Sequence, residues 1–145
     1  MRVATCLAGA VLFLAVVGVG GQEAAPKRSV RDGVFSTRQV DRGRRVYLRS
    51  CEHCHGASLE GNDTAEIPAL VYDPFFRQWA GRTLGDLFEH LSRSMPADDR
   101  ASLTPRAYAD VLALILEANG FPAGESDLSE KVEELAAITI ERPKP

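Results

Sequence analysis

Apolar residues recur at helical spacing in three stretches of this chain. In STRQVDRGRRVYLRS, residues 36–50, Val40, Gly43, Val46 and Tyr47 fall on one face and Arg38, Arg42, Arg45 and Arg49 on another. Ser36 can cap this helix, and Gln39, three residues on, completes a capping box. The arginine stripe reads as a solvated face, with partner docking as the alternative. A second helix is predicted from Thr83, with Leu84, Leu87, Phe88 and Leu91 in register. It ends before Ser94-Met95-Pro96, because proline drives the preceding residue out of helical geometry. The clearest helix is TPRAYADVLALILEANG, residues 104–120. Thr104 caps it, Pro105 suits its first turn, Gly120 stops it, and Tyr108, Val111, Leu112, Ile115 and Leu116 form a wide apolar stripe.

Other stretches lack this period. Residues 22–35 are polar, with Pro and Gly, and read as a flexible leader. Residues 56–79, GASLEGNDTAEIPALVYDPFFRQW, read as one long loop, which in a small domain needs something to wrap around. Residues 122–145 form an extension with one short helix, starting at Asp127 with Glu130 as a capping-box partner, and a fraying ERPKP end. No internal repeat and no convincing strand pattern is present. The expectation is an all-α domain over residues 36–121, with about four or five short helices.

The N-terminus changes the picture of compartment. Arg2 precedes an apolar run from Leu7 to Val19, and small residues lead to Gln22. This is the layout of a signal peptide, cleaved after Gly21. The run is shorter than the ~20 residues needed to span a bilayer, and an uncleaved membrane anchor is the alternative. Removal of residues 1–21 leaves two cysteines, Cys51 and Cys54, and one methionine, Met95. The full chain has 17 basic and 20 acidic side chains and a net charge of −3, which does not suit a nucleic-acid surface. Apolar residues reach 45%, enough for a core, but aromatics only 7%, so a bulky apolar prosthetic group could complete it.

The candidate chemistry is concentrated in CEHCH, residues 51–55. Cys51, Cys54 and His55 stand at i, i+3 and i+4, on one face of a helical turn. Cys-x-x-Cys-His is the attachment signature of c-type haem, with both thiols bonded to one edge of the porphyrin and the histidine directed at the iron. His53 lies off that face. A disulfide between Cys51 and Cys54 would close too short a loop to stabilise much. A thioredoxin-like redox pair would follow a strand, and here a helix precedes the motif. Structural zinc needs four ligands, and His90 is the remaining candidate beside Cys51, Cys54 and a neighbouring histidine. For a haem, Met95 on its extended loop is the candidate sixth ligand and His90 its rival.

The chain resembles the class I, single-haem c-type cytochromes over residues 36–121. It is similar within them to small bacterial cytochromes that accompany, or are fused to, quinoprotein alcohol dehydrogenases. The match is carried by GRRVY at 43–47, CEHCHG at 51–56, LEG at 59–61, IPAL at 67–70, WAGRTLGDLF at 79–88, SMP at 94–96 and LTPRAYADVLALILEANGFPAG at 103–124. The resemblance implies that Gly43 and Tyr47 cross the last large helix near Tyr108 and Leu112. It implies that the Pro68 carbonyl bonds the second nitrogen of His55, that Trp79 hydrogen-bonds a haem propionate, and that Arg82 could pair with one; the alternatives are a turn-forming proline, a core tryptophan and a helix-entry cation. Such sequences often carry Gly where this chain has Val71-Tyr72-Asp73-Pro74.

The function so implied is that of a periplasmic electron carrier, not an enzyme in its own right. It would hold one covalent haem c, with His55 and Met95 as axial ligands. Its partners would be transient redox proteins, a quinoprotein dehydrogenase as donor and an oxidase as acceptor, with no nucleic acid. Asp98 and Asp99 could steer a basic partner or form an ordinary solvated loop. Two alternatives stand beside this reading: a haem with an open sixth position, as gas or peroxide sensor or enzyme, and a zinc-binding interaction module.

Overall fold

Helix α1, Thr37–Ser50, starts at the expected cap: the Ser36 Oγ accepts the Gln39 amide at 3.1 Å. The computed structural model describes residues 27–143, so the apolar run at 7–19 and the cleavage position after Gly21 lie outside the described residues. The second half of the expected capping box does not form. Gln39 is buried, and its carboxamide reaches the backbone of Leu128 instead, donating at 3.0 Å and accepting at 2.6 Å. Two bonds to a distant segment replace one to the helix's own start.

Helix α2, Glu52–His55, follows α1 after one residue, and a 3-10 turn covers Asp63–Ala65. Helix α3 is Tyr72–Trp79, α4 Leu84–Ser94, α5 Pro105–Ala118 and α6 Val132–Leu135. Two-residue strands β1, Arg28–Ser29, and β2, Ile138–Thr139, pair in parallel. The fold is mostly helical, as expected. Among the described residues, no helix is long and apolar enough to cross a membrane.

The α1–α5 crossing forms the centre of the core. On α1, Val40, Gly43, Val46 and Tyr47 are buried; on α5, every residue from Tyr108 to Leu116 is buried. A Cβ at Gly43 would lie 1.9 Å from the Asp110 carbonyl oxygen, so only glycine permits this approach. Beside the contact, Arg42 forms a fork on Asp110 at 2.9 and 3.0 Å and reaches Asp127 at 2.6 Å. Arg42 thus leaves the expected solvated stripe, because buried Asp110 needs a cation. Arg38, Arg45 and Arg49 are exposed.

Four other expectations are corrected. The "leader" does not hang free over its described part: Val30, Val34 and Phe35 are buried, and the Val30 amide donates to the Thr139 carbonyl at 3.1 Å. Its polar composition concealed an apolar triplet that needs the C-terminal segment as partner. The long loop contains α3, whose Phe75, Phe76 and Trp79 make one buried face. No local side chain caps α3; the Tyr72 amide donates to the Asn119 Oδ1, 47 residues away, at 2.9 Å. The short helix starts at Val132, not Asp127, because the Asp127 carboxylate accepts from the Ser36 hydroxyl and from Arg42. Nor does the end fray up to residue 143: Ile140 is fully buried, Arg142 pairs with Asp73 at 2.7 Å, and its guanidinium lies over the Phe76 ring.

Two tests follow from this packing. Gly43→Ala would gain about 1 kcal/mol of helix propensity. The clash with Asp110 should outweigh this and leave a net loss of roughly 2 kcal/mol in urea unfolding. An unchanged or raised stability would show that the helices separate freely. The Ser36 hydroxyl, then Arg42, hold the Asp127 carboxyl below its usual range. That stability is present above the ordinary carboxylate pKa of about 4 and drains away as pH falls through the lowered value. Asp127→Asn should therefore shrink the difference in urea midpoint between pH 6 and pH 3. The effect is under about 1 kcal/mol, since the side chain is exposed.

Candidate functional site

Cys51 sits at the joint of α1 and α2, where the helical bonding hardly breaks. Its amide donates to the Tyr47 carbonyl at 2.8 Å, and its carbonyl accepts from Cys54 at 3.2 Å and His55 at 2.9 Å. The turn therefore places positions 51, 54 and 55 on one side, as the spacing requires. The Tyr47 hydroxyl donates to the Gly56 carbonyl at 2.6 Å and pins the far end of the turn. Gly61 then folds the chain back, with φ +74°; a Cβ there would lie 2.5 Å from the Ile67 carbonyl oxygen.

This reversal brings Pro68 to His55. The His55 Nδ1 lies 3.2 Å from the Pro68 carbonyl. A carbonyl only accepts, so Nδ1 carries the proton and the Nε2 lone pair is free to bind a metal. Burial lowers the His55 pKa; the Pro68 bond opposes this, and His53 adds to it. The ring is thus kept neutral, the form a metal requires.

Cys51 and Cys54 are half-buried free thiols. Burial, with a contribution from Cys54, pushes the Cys51 thiol up to about 11. Redox-active cysteines have lowered values, so this environment argues against a thioredoxin-like pair. Among the described residues, no group of three or more His, Cys, Asp and Glu side chains is arranged to hold a metal ion. The four-ligand zinc arrangement is not assembled there.

Cys51, Cys54, His55, Pro68, Trp79 and Met95 all line one cavity of about 280 Å³. Leu70, Phe75, Leu87, Leu91, Val111 and Ile115 supply its apolar wall. Met95 leaves α4 with extended backbone, φ −120° and ψ 151°. Its carbonyl accepts the Tyr108 hydroxyl at 2.7 Å, and the same hydroxyl accepts the Leu103 amide at 3.4 Å, closing the loop after Met95. In the sequence Tyr108 was legible as part of an apolar stripe and of the helix crossing, not as a hydrogen-bond donor. Its hydroxyl, and the Asn119 carboxamide that holds the Leu70 carbonyl at 2.9 Å, are the site residues that sequence reasoning missed. A buried tyrosine or asparagine needs a partner, and that need was the available signal.

Arg82 is placed differently. Its guanidinium lies 4.7 Å from the Trp79 ring centroid, and it is not among the cavity's lining side chains. Trp79 is buried, with His90 5.4 Å away between ring centroids. His90 lines the cavity from an exposed position on α4. At the rim, His53 and Asp98 approach to 3.7 Å, bringing the cysteine turn and the methionine loop together.

These residues fit a covalently held haem. Two thiols stand on one turn, a neutral imidazole has its outer nitrogen fixed and its inner nitrogen free, and a thioether enters the same apolar cavity from another segment. The model of a family described as "Cytochrome C oxidase, cbb3-type, subunit III" matches residues 38–115. Among solved structures the chain is similar to the sulfane dehydrogenase SoxCD from Paracoccus pantotrophus. The identity is 21%, with a TM-score of 0.47, over 85% of this chain and 68% of that one. No curated protein matches.

Tyr47→Phe tests how the turn is held. Loss of the bond to the Gly56 carbonyl should cost about 1–2 kcal/mol in urea unfolding, since the carbonyl partner is left part-buried. An unchanged stability would mean that the turn is fixed without it.

Proposed function

This chain belongs to the family described as cytochrome c oxidase, cbb3-type, subunit III, and is a class I c-type cytochrome; from that premise we propose a periplasmic electron carrier with one haem c, ligated by His55 and Met95. The observation that carries the axial assignment is the shared cavity, which His55 and Met95 enter from segments 40 residues apart (95 minus 55). When bound, the haem supplies a one-electron couple.

The chain's own residues hold that group and shield it. Cys51 and Cys54 would each form a thioether bond and fix the edge that faces α2. His55 would bind through Nε2, its orientation set by the Pro68 carbonyl. Met95 would bind through its sulfur, its backbone held by Tyr108. A thioether stabilises the reduced state relative to an imidazole or an open position, and so raises the potential. Leu70, Phe75, Leu87 and Leu91 keep water from the cavity. With His55 and Met95 both bound to the iron, no substrate would need to reach it. The Trp79 indole would bind a propionate, whereas Arg82 acts through its stacking on Trp79.

The periplasmic reading is supported by the Leu7–Val19 run and by the haem-attachment motif. The partners are redox proteins met at small, transient interfaces. The family description supports an oxidase as acceptor. The resemblance to cytochromes that accompany quinoprotein alcohol dehydrogenases supports such an enzyme as donor.

The test is the absorption spectrum of the haem-loaded protein and of Met95→Ala. The oxidised protein should show the weak long-wavelength sulfur-to-iron band, and Met95→Ala should lose it and bind cyanide rapidly. A wild-type spectrum without that band would remove Met95 from the axial position and favour His90 or an open site.

A further inference from the structure

The segments outside the family match meet at the start of the helix that ends in Met95. Strand β2 and the residue after it are bonded on both edges. On one edge the Arg28 amide donates to the Ala137 carbonyl at 3.0 Å and the Val30 amide to the Thr139 carbonyl at 3.1 Å. On the other, the Gly81 amide donates to the Ile140 carbonyl and the Ile140 amide to the Arg82 carbonyl, both at 2.8 Å. Thr139 also bridges Thr83, the N-cap of α4. The tail is thus the middle member of a small three-segment arrangement that holds the α3–α4 connection, Gly81 to Thr83.

Packing continues along α4. A Cβ on Gly85 would lie 3.0–3.2 Å from Ala136, so the chain after α6 lies directly on the first turn of α4. Leu84, Leu135 and Ile140 are fully buried. Helix α4 has 11 residues, a rod of about 16 Å, with this clamp at one end and Met95 as C-cap at the other. A short helix moves largely as a unit, so the freedom of its start is passed on to its end.

We propose that residues 136–140 are a positioning element for Met95: by fixing the first turn of α4 they set how readily the thioether leaves the iron. The proposal rests on the axial reading of Met95. Residues 136–140 are not among those that line the cavity; they act through α4.

The test compares two substitutions in the same tail of the haem-loaded, oxidised protein. Ile140→Ala removes a buried side chain at the clamp. Leu128→Ala removes a buried side chain from the segment whose backbone bonds Gln39 of α1. The readout is the rate at which added imidazole displaces the sulfur-to-iron band, which follows the opening of the methionine loop. Ile140→Ala should raise that rate about tenfold, and Leu128→Ala, at a similar loss of unfolding stability, should leave it within about twofold. If Ile140→Ala does not fold, Gly85→Ala, whose added methyl presses on Ala136, should move the rate in the same direction. Equal rates in the clamp and Leu128 variants, or no change at the clamp, would overturn the proposal. A wild-type protein without the band would instead refute the axial reading, and the proposal with it.

Discussion

With no side chain at Gly43, α1 and α5 approach until the Asp110 carbonyl lies where a methyl would be, and the site depends on that contact. The contact fixes α1, and the cysteine turn is the continuation of α1. It equally fixes α5, which carries Tyr108 to the methionine loop and Asn119 to the start of α3. Arg42 spans the crossing to Asp110 and Asp127 and thereby ties the C-terminal segment to the same point.

Around that frame the chain solves one problem repeatedly. A cavity bordered by irregular backbone leaves carbonyls in need of donors. Four are answered by side chains: Tyr47 to Gly56, His55 to Pro68, Tyr108 to Met95, and Asn119 to Leu70. Each bond stabilises a loop and also orients a group that faces the cavity. The His55 bond has the most direct chemical consequence, since it decides which ring nitrogen is left to bind metal.

Signals contained within one or two helical turns could be read from the sequence. The caps at Ser36 and Thr104 lie within three residues of their partners, and Cys51, Cys54 and His55 lie within four residues of one another. Met95 as a helix exit followed from Pro96. What escaped were features completed by distant chain. Helix α3 takes its cap from Asn119, the leader gains its burial from the C-terminal strand, and Gln39 prefers Leu128 to its own capping box. Arg42 looked solvated because nothing nearby in sequence announced that Asp110 would be buried beside it. Arg82, which the resemblance set beside a propionate, lies over Trp79, a residue three positions away.

Covalent attachment of one haem to Cys51 and Cys54 is the proposal on which the other assignments rest. It is tested most directly by the intact mass of the protein, produced with haem-attachment machinery, after acid denaturation and solvent extraction. The predicted result is a chain heavier by the mass of one haem, reduced to the bare chain when both cysteines are replaced by alanine. A wild-type chain that loses its haem on extraction, or that carries zinc and no haem, would contradict the account.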